Sequence, residues 1–287
     1  MSPPESLRKK PMAMNSIMTN YGAQVALQAL NHTNDALAAT QKRISTGLRV
    51  ADGRDDGAAF AVAERVRGDI AGTTSANEQL GGVKGLLAVT SAALQNVSDS
   101  LKSLKQLTVK LADGNITTDQ RTQYKAQIGE VSNNIKSFIG DASYNGTNII
   151  NTGGADTKTI INSSGGTYTI TAYNAITNIW NEISQANAYT STSARSALTT
   201  GGHVTSAINN TLTKLNAYGS SSNYIDSQIN FNKSKIDGME AGMGALVDAD
   251  LAKESAKLQS LQIRQQLGTQ ALGIANQAPQ SLLSLFR

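Results

Sequence analysis

The sequence predicts a mainly α protein, a long antiparallel helical rod with coiled-coil seams and a small β-hairpin region. Three observations predict it. No proline lies between Met12 and Ala278, so nothing there removes a donor from a helix interior or clashes with the preceding turn. Long runs in both halves place apolar residues at alternating steps of three and four. Between those runs lies a glycine-punctuated stretch rich in Thr, Tyr and Ile, which are strand formers.

The first run is Leu80, Val83, Leu87, Thr90, Leu94, Val97, Leu101, Leu104, Thr108, Leu111. The second is Tyr124, Ile128, Val131, Ile135, Phe138. The third is Val204, Ile208, Thr211, Leu215, Tyr218, Ser222, Ile225, Ile229, Asn232, Ile236, Met239, Met243, Leu246. This alternation keeps one seam facing a partner helix and favours left-handed supercoiling. Short links such as 112–118 favour antiparallel neighbours within the chain.

Taken in order, residues 1–13 are expected to form a disordered extension. Residues 15–50 form a helix in which Ala23, Leu30, Leu37 and Ile44 repeat every seven, with Ala26, Leu27 and Leu48 widening that face. A turn rich in Asp and Gly follows at Val50–Gly57. Helix resumes from about Ala58 to Leu111, with an interruption expected near Gly81–Gly82. Asp113-Gly114-Asn115 stops it, and Thr117 with Gln120 is the signature of a capping box opening the next helix. Short β-type runs occupy 147–151, 157–162 and 167–172, and the glycine pairs between them suit hairpin turns. A short amphipathic helix follows, with Ile176, Ile179, Trp180 and Ile183 on one side, and then a Ser/Thr/Gly loop over 189–202.

From Leu246 to Ala278 the chain again predicts helix. Leu251, Leu258, Leu261 and Leu272 share one face, while Ile263, Leu267 and Ile274 lie on the opposite one. A helix apolar on two opposed faces must bury both. One chain has few spare helices for that, so neighbouring copies are the expected cover.

Composition excludes several classes. The chain carries a mild net charge of +4, interspersed rather than blocked, and only 5% aromatics, which argues against a nucleic-acid surface. Cysteine is absent, so no disulfide, thiolate metal site or cysteine nucleophile exists. No stretch has the apolar length of a membrane span. The basic N-terminus lacks an apolar segment of the secretory kind, which points to a cytoplasmic protein or one exported by a dedicated machine. His32 and His203 stand far apart and no His-Glu-x-x-His occurs. The glycine-rich pieces lack the lysine and strand–helix context of a phosphate loop. No enzyme and no cofactor are expected.

Several blocks, in order, resemble bacterial flagellin. At the N-terminal end they are Met12-Ala13-Met14-Asn15-Ser16-Ile17, Arg43-Ile44-Ser45-Thr46-Gly47-Leu48-Arg49-Val50 and Asp55-Asp56-Gly57-Ala58. Tyr144-Asn145-Gly146-Thr147-Asn148 is similar to the family's aromatic-Asn-Gly turn. At the C-terminal end they are Asp248-Ala249-Asp250-Leu251-Ala252-Lys253-Glu254, Ala275-Asn276-Gln277-Ala278-Pro279-Gln280 and Leu285-Phe286-Arg287. The Leu-Val-Asp-Ala-Asp-Leu-Ala-Lys-Glu-Ser stretch and the Ser-Leu-Phe-Arg ending look most like the short flagellins of alphaproteobacteria.

The resemblance implies that residues 14–49 and 246–287 pair into an inner coiled coil, and that 50–245 form an outer helical core. The latter would carry a hairpin region at about 144–172 and a short surface segment at 173–202. It implies a secreted filament subunit that passes unfolded through a type III export apparatus and polymerises with copies of itself. Export chaperone, filament cap and hook–filament junction proteins are the implied partners. A junction protein or a minor flagellin is the alternative. The turn residues Arg49, Asp52, Arg54, Asp55 and Asp56 would form a hinge between cores, as a solvated turn or as an inter-subunit salt-bridge network. The stretch Leu101-Lys102-Ser103-Leu104-Lys105-Gln106-Leu107 matches the one many flagellins offer to an animal Toll-like receptor. Ser103 and Gln106 replace the family's Arg and Glu there, which implies weak activation.

Overall fold

A computed structural model of the protein describes residues 20–285, and the side chains of residues 20–277. The expected extension at 1–13, the first helical residues at 15–19 and the side chains after Gln277 lie outside the described residues. The described residues form two compact units, one made of residues 20–66 and 241–285, the other of Arg67–Glu240.

The second unit is built on α3 (Thr118–Asp141) and on most of two longer helices, α2 (Gly57–Ala112) and α6 (His203–Val247). Every member of the first run is buried except Val83, which is half-buried. Ile128 and Ile135 of α3, and Val204, Tyr218 and Ile225 of α6, join the same core. Thr90, Thr108 and Thr211 occupy seam positions without leaving a hydroxyl orphaned. Each donates to the carbonyl four residues back (Leu86, Leu104 and Ala207), all at 2.8 Å. The α2–α6 pairing is antiparallel, as Asn77–Asn232 and Lys84–Asp226 contacts require.

The expected break at Gly81–Gly82 does not occur; α2 runs through both glycines. Leu80, Leu86 and Leu87 around them are buried. That burial outweighs the roughly 1 kcal/mol per glycine that helix propensity costs. The stop at Asp113 and the capping box are both present. Thr117 Oγ1 accepts from the Gln120 N–H at 3.2 Å, and Gln120 Oε1 accepts from the Thr117 N–H at 3.0 Å.

Strands β1 (Thr157–Ile160) and β2 (Thr167–Ile170) pair antiparallel, Thr157 opposite Ile170. The third expected strand, 147–151, is absent. Instead Tyr144 and Thr147 exchange backbone bonds of 2.9 Å across Asn145-Gly146, whose φ values of 48° and 77° suit a tight turn. Beyond it Asn148 redirects the chain. Its Nδ2 donates to the Ile139 carbonyl at 2.8 Å, and its Oδ1 accepts from the N–H groups of Ile150 and Asn151.

A π-helical turn (Ile176–Trp180) leads into α4 (Asn181–Ile183), with Ile179 and Ile183 buried. The predicted loop at 189–202 is instead mostly helix. The segment α5 (Ser191–Leu198) is opened by its own capping box between Thr190 and Ser193. Ala194 and Ala197 are buried in the core. The Ser/Thr content that suggests a loop includes the cap, and the two alanines supply the packing face. Arg195 Nε also donates to the Ala112 carbonyl at 3.0 Å, satisfying an orphan at the end of α2.

The first unit contains α1 (Tyr21–Thr46) and α7 (Leu251–Leu285). α1 ends before the expected residue 50 because Gly47 takes a left-handed φ of 72° and returns its N–H to Arg43. The C-terminal helix begins at Leu251, not Leu246, because α6 continues to Val247 and a three-residue turn intervenes. It also passes Ala278 and runs through Pro279 to Leu285.

Candidate assembly site

α1 and α7 pair antiparallel along a 3,4 seam. On α1 the covered positions are Ala23, Ala26, Leu30, Thr33, Leu37, Thr40 and Ile44. On α7 they are Glu254, Leu258, Leu261, Gln265, Gly268, Leu272 and Ala275. The register is pinned at four heights. Asn20 caps α1 by accepting from the Ala23 N–H at 3.0 Å, and its Nδ2 donates to the Ala275 carbonyl at 2.7 Å. Leu30 lies over Gly268, where an added Cβ would sit 3.2 Å from Leu30 Cδ1. Gln265 Nε2 donates to Asn34 Oδ1 at 2.8 Å. Arg43 Nη1 pairs with Glu254 Oε1 at 3.2 Å.

The seam is thin. Only Thr40, Glu254 and Leu261 in it are fully buried, and Thr40 Oγ1 and Glu254 Oε2 are buried with no hydrogen-bond partner. The expected members Ala23, Leu30, Leu37, Ile44, Leu258 and Leu272 are half-buried, as is Leu48 beyond the helix end. Two expected seam members stand outside it. Leu27 is exposed because it lies about 100° around the helix from Ala26, off the covered face. Leu251 is exposed because α1 ends at Thr46, leaving nothing opposite. Ile263, Leu267 and Ile274 form a second face of α7, exposed at 58%, 58% and 69%. Tyr21 and Val25 are exposed on α1.

The turn between α1 and α2 is a structured ion network within the chain. Lys42 is its hub, with Nζ at 2.8 Å from Asp52 Oδ2 and 3.0 Å from Asp55 Oδ2. Arg54 adds a 3.2 Å contact to Asp52. The Lys42 ammonium, seconded by Arg54, holds Asp52 far below the usual carboxylate range. Lys42, with the Ala51 N–H, lowers Asp55. Asp56 caps α2 by accepting from the N–H groups of Ala58 and Ala59. Arg49 joins by its backbone, donating to the Val247 carbonyl at 2.7 Å, while Ala249 donates to Gly47 at 2.9 Å. Val50, Ala63 and Val247 form a small buried cluster beneath. The sequence pattern marks the aspartates but not Lys42, whose role depends on a turn that folds back ten residues later.

In the receptor-like stretch, Leu101 and Leu104 are fully buried and Leu107 half-buried; Lys102, Ser103, Lys105 and Gln106 face outward. Among the described residues no group of His, Asp or Glu could hold a metal ion, and no helix is long and apolar enough to cross a membrane.

Residues 17–153 match the family model of the bacterial flagellin N-terminal helical region, and residues 202–286 match that of the C-terminal helical region. The chain belongs to the flagellin family. It is 38% identical to flagellin FljK of Caulobacter vibrioides, over 96% of this chain and 100% of that one. To a flagellin of Brucella melitensis it is 34% identical over the same shares. A crystal structure of Bacillus cereus flagellin covers 54% of this chain at 19% identity, with a TM-score of 0.48. Flagellins of alphaproteobacteria are thus among the relatives of this chain. It is a structural subunit of the extracellular flagellar filament and not an enzyme.

Proposed function

We propose that this flagellin enters the filament by burying the second face of α7 against neighbouring copies. The observation that carries this reading is Ile263, Leu267 and Ile274, aligned on one face and more than half exposed. Leu27, Tyr21 and Val25 extend the apolar surface of the helix pair. A pair with so thin a seam gains much of its stability only when copies cover it, so its ordering is coupled to addition. The seam members Ala23, Leu30, Leu37, Ile44, Leu48, Leu258, Leu261 and Leu272, with Leu251 at its open end, then form the inner core. The ion network of Lys42, Asp52, Arg54 and Asp55, with Arg49 and Asp56, acts as the hinge linking inner and outer cores. Export occurs before this ordering, through a type III apparatus with a chaperone on the terminal segments; cap and hook–filament junction proteins are the further partners.

Seeded polymerisation followed by electron microscopy tests the reading. The full chain should give filaments. An Ile263→Ser/Leu267→Ser variant should keep the monomer's helical circular dichroism and lose polymerisation. Filaments of normal yield from that variant would sink the proposal. Because Ser103 and Gln106 carry no charge, activation in a Toll-like receptor reporter assay should be weak; full potency would refute that part.

A further inference from the structure

Asn145 is the only asparagine in the chain followed by glycine, and the two residues form the exposed turn between Tyr144 and Thr147. That pairing carries chemistry of its own. The backbone nitrogen of a following residue can attack an asparagine side-chain amide, and glycine, having no Cβ, leaves that nitrogen unshielded. The structure separates Asn145 from the other asparagines near it. Asn162 also precedes a small residue, Ser163, but its Oδ1 accepts from the N–H groups of Ser164 at 3.0 Å and Gly166 at 2.8 Å. Gly166 packs so closely on that amide that a Cβ would lie 2.6 Å from Asn162 Nδ2. The amides of Asn148 and Asn151 are bonded as well, and a threonine follows each. Among the described residues, by contrast, neither the Asn145 amide nor the Gly146 N–H has a hydrogen-bond partner.

We propose that Asn145 is a site of spontaneous deamidation, converting to aspartate and isoaspartate with water as the co-reactant. The Gly146 nitrogen gives its proton to solvent and bonds to Asn145 Cγ. The Cγ–Nδ2 bond breaks, and that nitrogen leaves as ammonia. The resulting five-membered imide takes up one water. Opening at the side-chain carbonyl leaves aspartate. Opening at the backbone carbonyl leaves isoaspartate, whose main chain runs through Cγ and is one methylene longer. Nothing is oxidised or reduced. The turn gates the step: its two 2.9 Å bonds fix both residues at left-handed φ, whereas ring closure must swing the Gly146 nitrogen onto Cγ. The reaction therefore proceeds from the opened turn, and an exposed two-residue turn is among the segments that open at least cost. Isoaspartate prevents reclosure, because its added methylene spoils the pairing of Tyr144 with Thr147. Either product places a new negative charge in the open cleft that Asn145 lines together with Lys158 and Tyr144. The Tyr144 ring lies against α2 at Gly85, where a Cβ would come within 2.7 Å of it, so a change in the turn reaches the long helix.

The test needs only the full-length monomer, and its outcome is independent of the α7 reading. The protein is aged in mildly alkaline buffer, digested with trypsin and mapped by mass spectrometry. The peptide Ser137–Lys158 should gain one mass unit, localised by fragmentation to Asn145, and should split into two chromatographic forms of equal mass. The peptide that contains Asn162 should stay unchanged over the same period. Gly146→Ala should slow the gain by shielding the nitrogen. Thr147→Pro, which removes the N–H that closes the turn on Tyr144, should speed it. An Asn145 that stays intact in the native chain while it converts in urea would overturn the proposal, because the turn would then protect the site. Conversion of Asn162 at the same rate as Asn145, or a rate indifferent to both turn variants, would overturn it as well.

Discussion

The α1–α7 pair and the α2–α3–α6 core use the same spacing and reach different ends. Both place seam residues at alternating steps of three and four. In the core those positions are mostly Leu, Ile and Val; the α2 run is buried everywhere but Val83, and those of α3 and, up to Asn232, α6 alternate between buried and half-buried. In the pair they are Ala, Thr, Gly, Gln and Glu among a few leucines, and most remain half-exposed. The seam threonines Thr90, Thr108 and Thr211 are satisfied, whereas Thr40 in the pair is not; off those positions the core also holds an unpartnered hydroxyl, that of Ser132 on α3. Spacing decides that a seam exists; its side-chain volume and polar satisfaction decide whether it is complete without help. A complete seam suits a unit that folds alone, and an incomplete one suits a segment finished by assembly.

The contrast can be broken most easily with paired truncations. Leu94→Ala should cost the monomer about 2–5 kcal/mol, because it opens a cavity in a fully packed site. Leu258→Ala, at a half-buried position, should cost clearly less in the same urea titration. Equal losses would mean that the two seams are equally complete.

Paired threonines sharpen the comparison at a smaller scale. Thr40→Val removes a buried hydroxyl that has no partner and should stabilise the helix pair by about 1 kcal/mol. Thr108→Val removes a satisfied hydroxyl from a carbonyl in helical surroundings, and should change thermal stability by less than about 1 kcal/mol. A larger gain from Thr108→Val than from Thr40→Val would reverse the assignment.

The two units should also fail at opposite ends of the pH scale. Asp52 and Asp55 are held below the ordinary carboxylate value of 3.8. The stability they lend the turn is complete above that value and is lost as pH falls through their lower folded values. Both are solvent-accessible, so salt should weaken the effect. Asp52→Asn should flatten the acid dependence of hydrogen exchange at residues 51–55. Burial pushes Tyr173 and Tyr218 of the Arg67–Glu240 unit up to about 12 from 10. A raised folded value favours the protonated native form, so stability holds below pH 10 and falls between 10 and 12. Tyr218→Phe should reduce that alkaline loss in circular dichroism melts; an unchanged slope would refute the cause.

Much of the Arg67–Glu240 unit is legible because its signals are local and redundant. Leu80 to Leu111 repeat often enough to fix a face, and Thr117 with Gln120 needs only three residues to specify a cap. The 189–202 stretch hides its helix for the opposite reason. Its Ser and Thr residues resemble a loop until Ala194 and Ala197 are seen to meet a core assembled from distant helices. Lys42 was missed because its partners lie across a turn, with no periodic relation to it.

The helical class, the seams of α2, α3 and α6, the caps, the Asn145-Gly146 turn and membership of the flagellin family follow from the chain alone. These depend on spacings of a few residues or on the order of blocks along the chain. Only the tertiary structure decided that α2 continues through Gly81–Gly82, that Leu27 and Leu251 fall outside the seam, and that Arg43 meets Glu254. Each of those depends on which residues from far along the chain cover a position, and coverage is a property of packing that no local pattern contains.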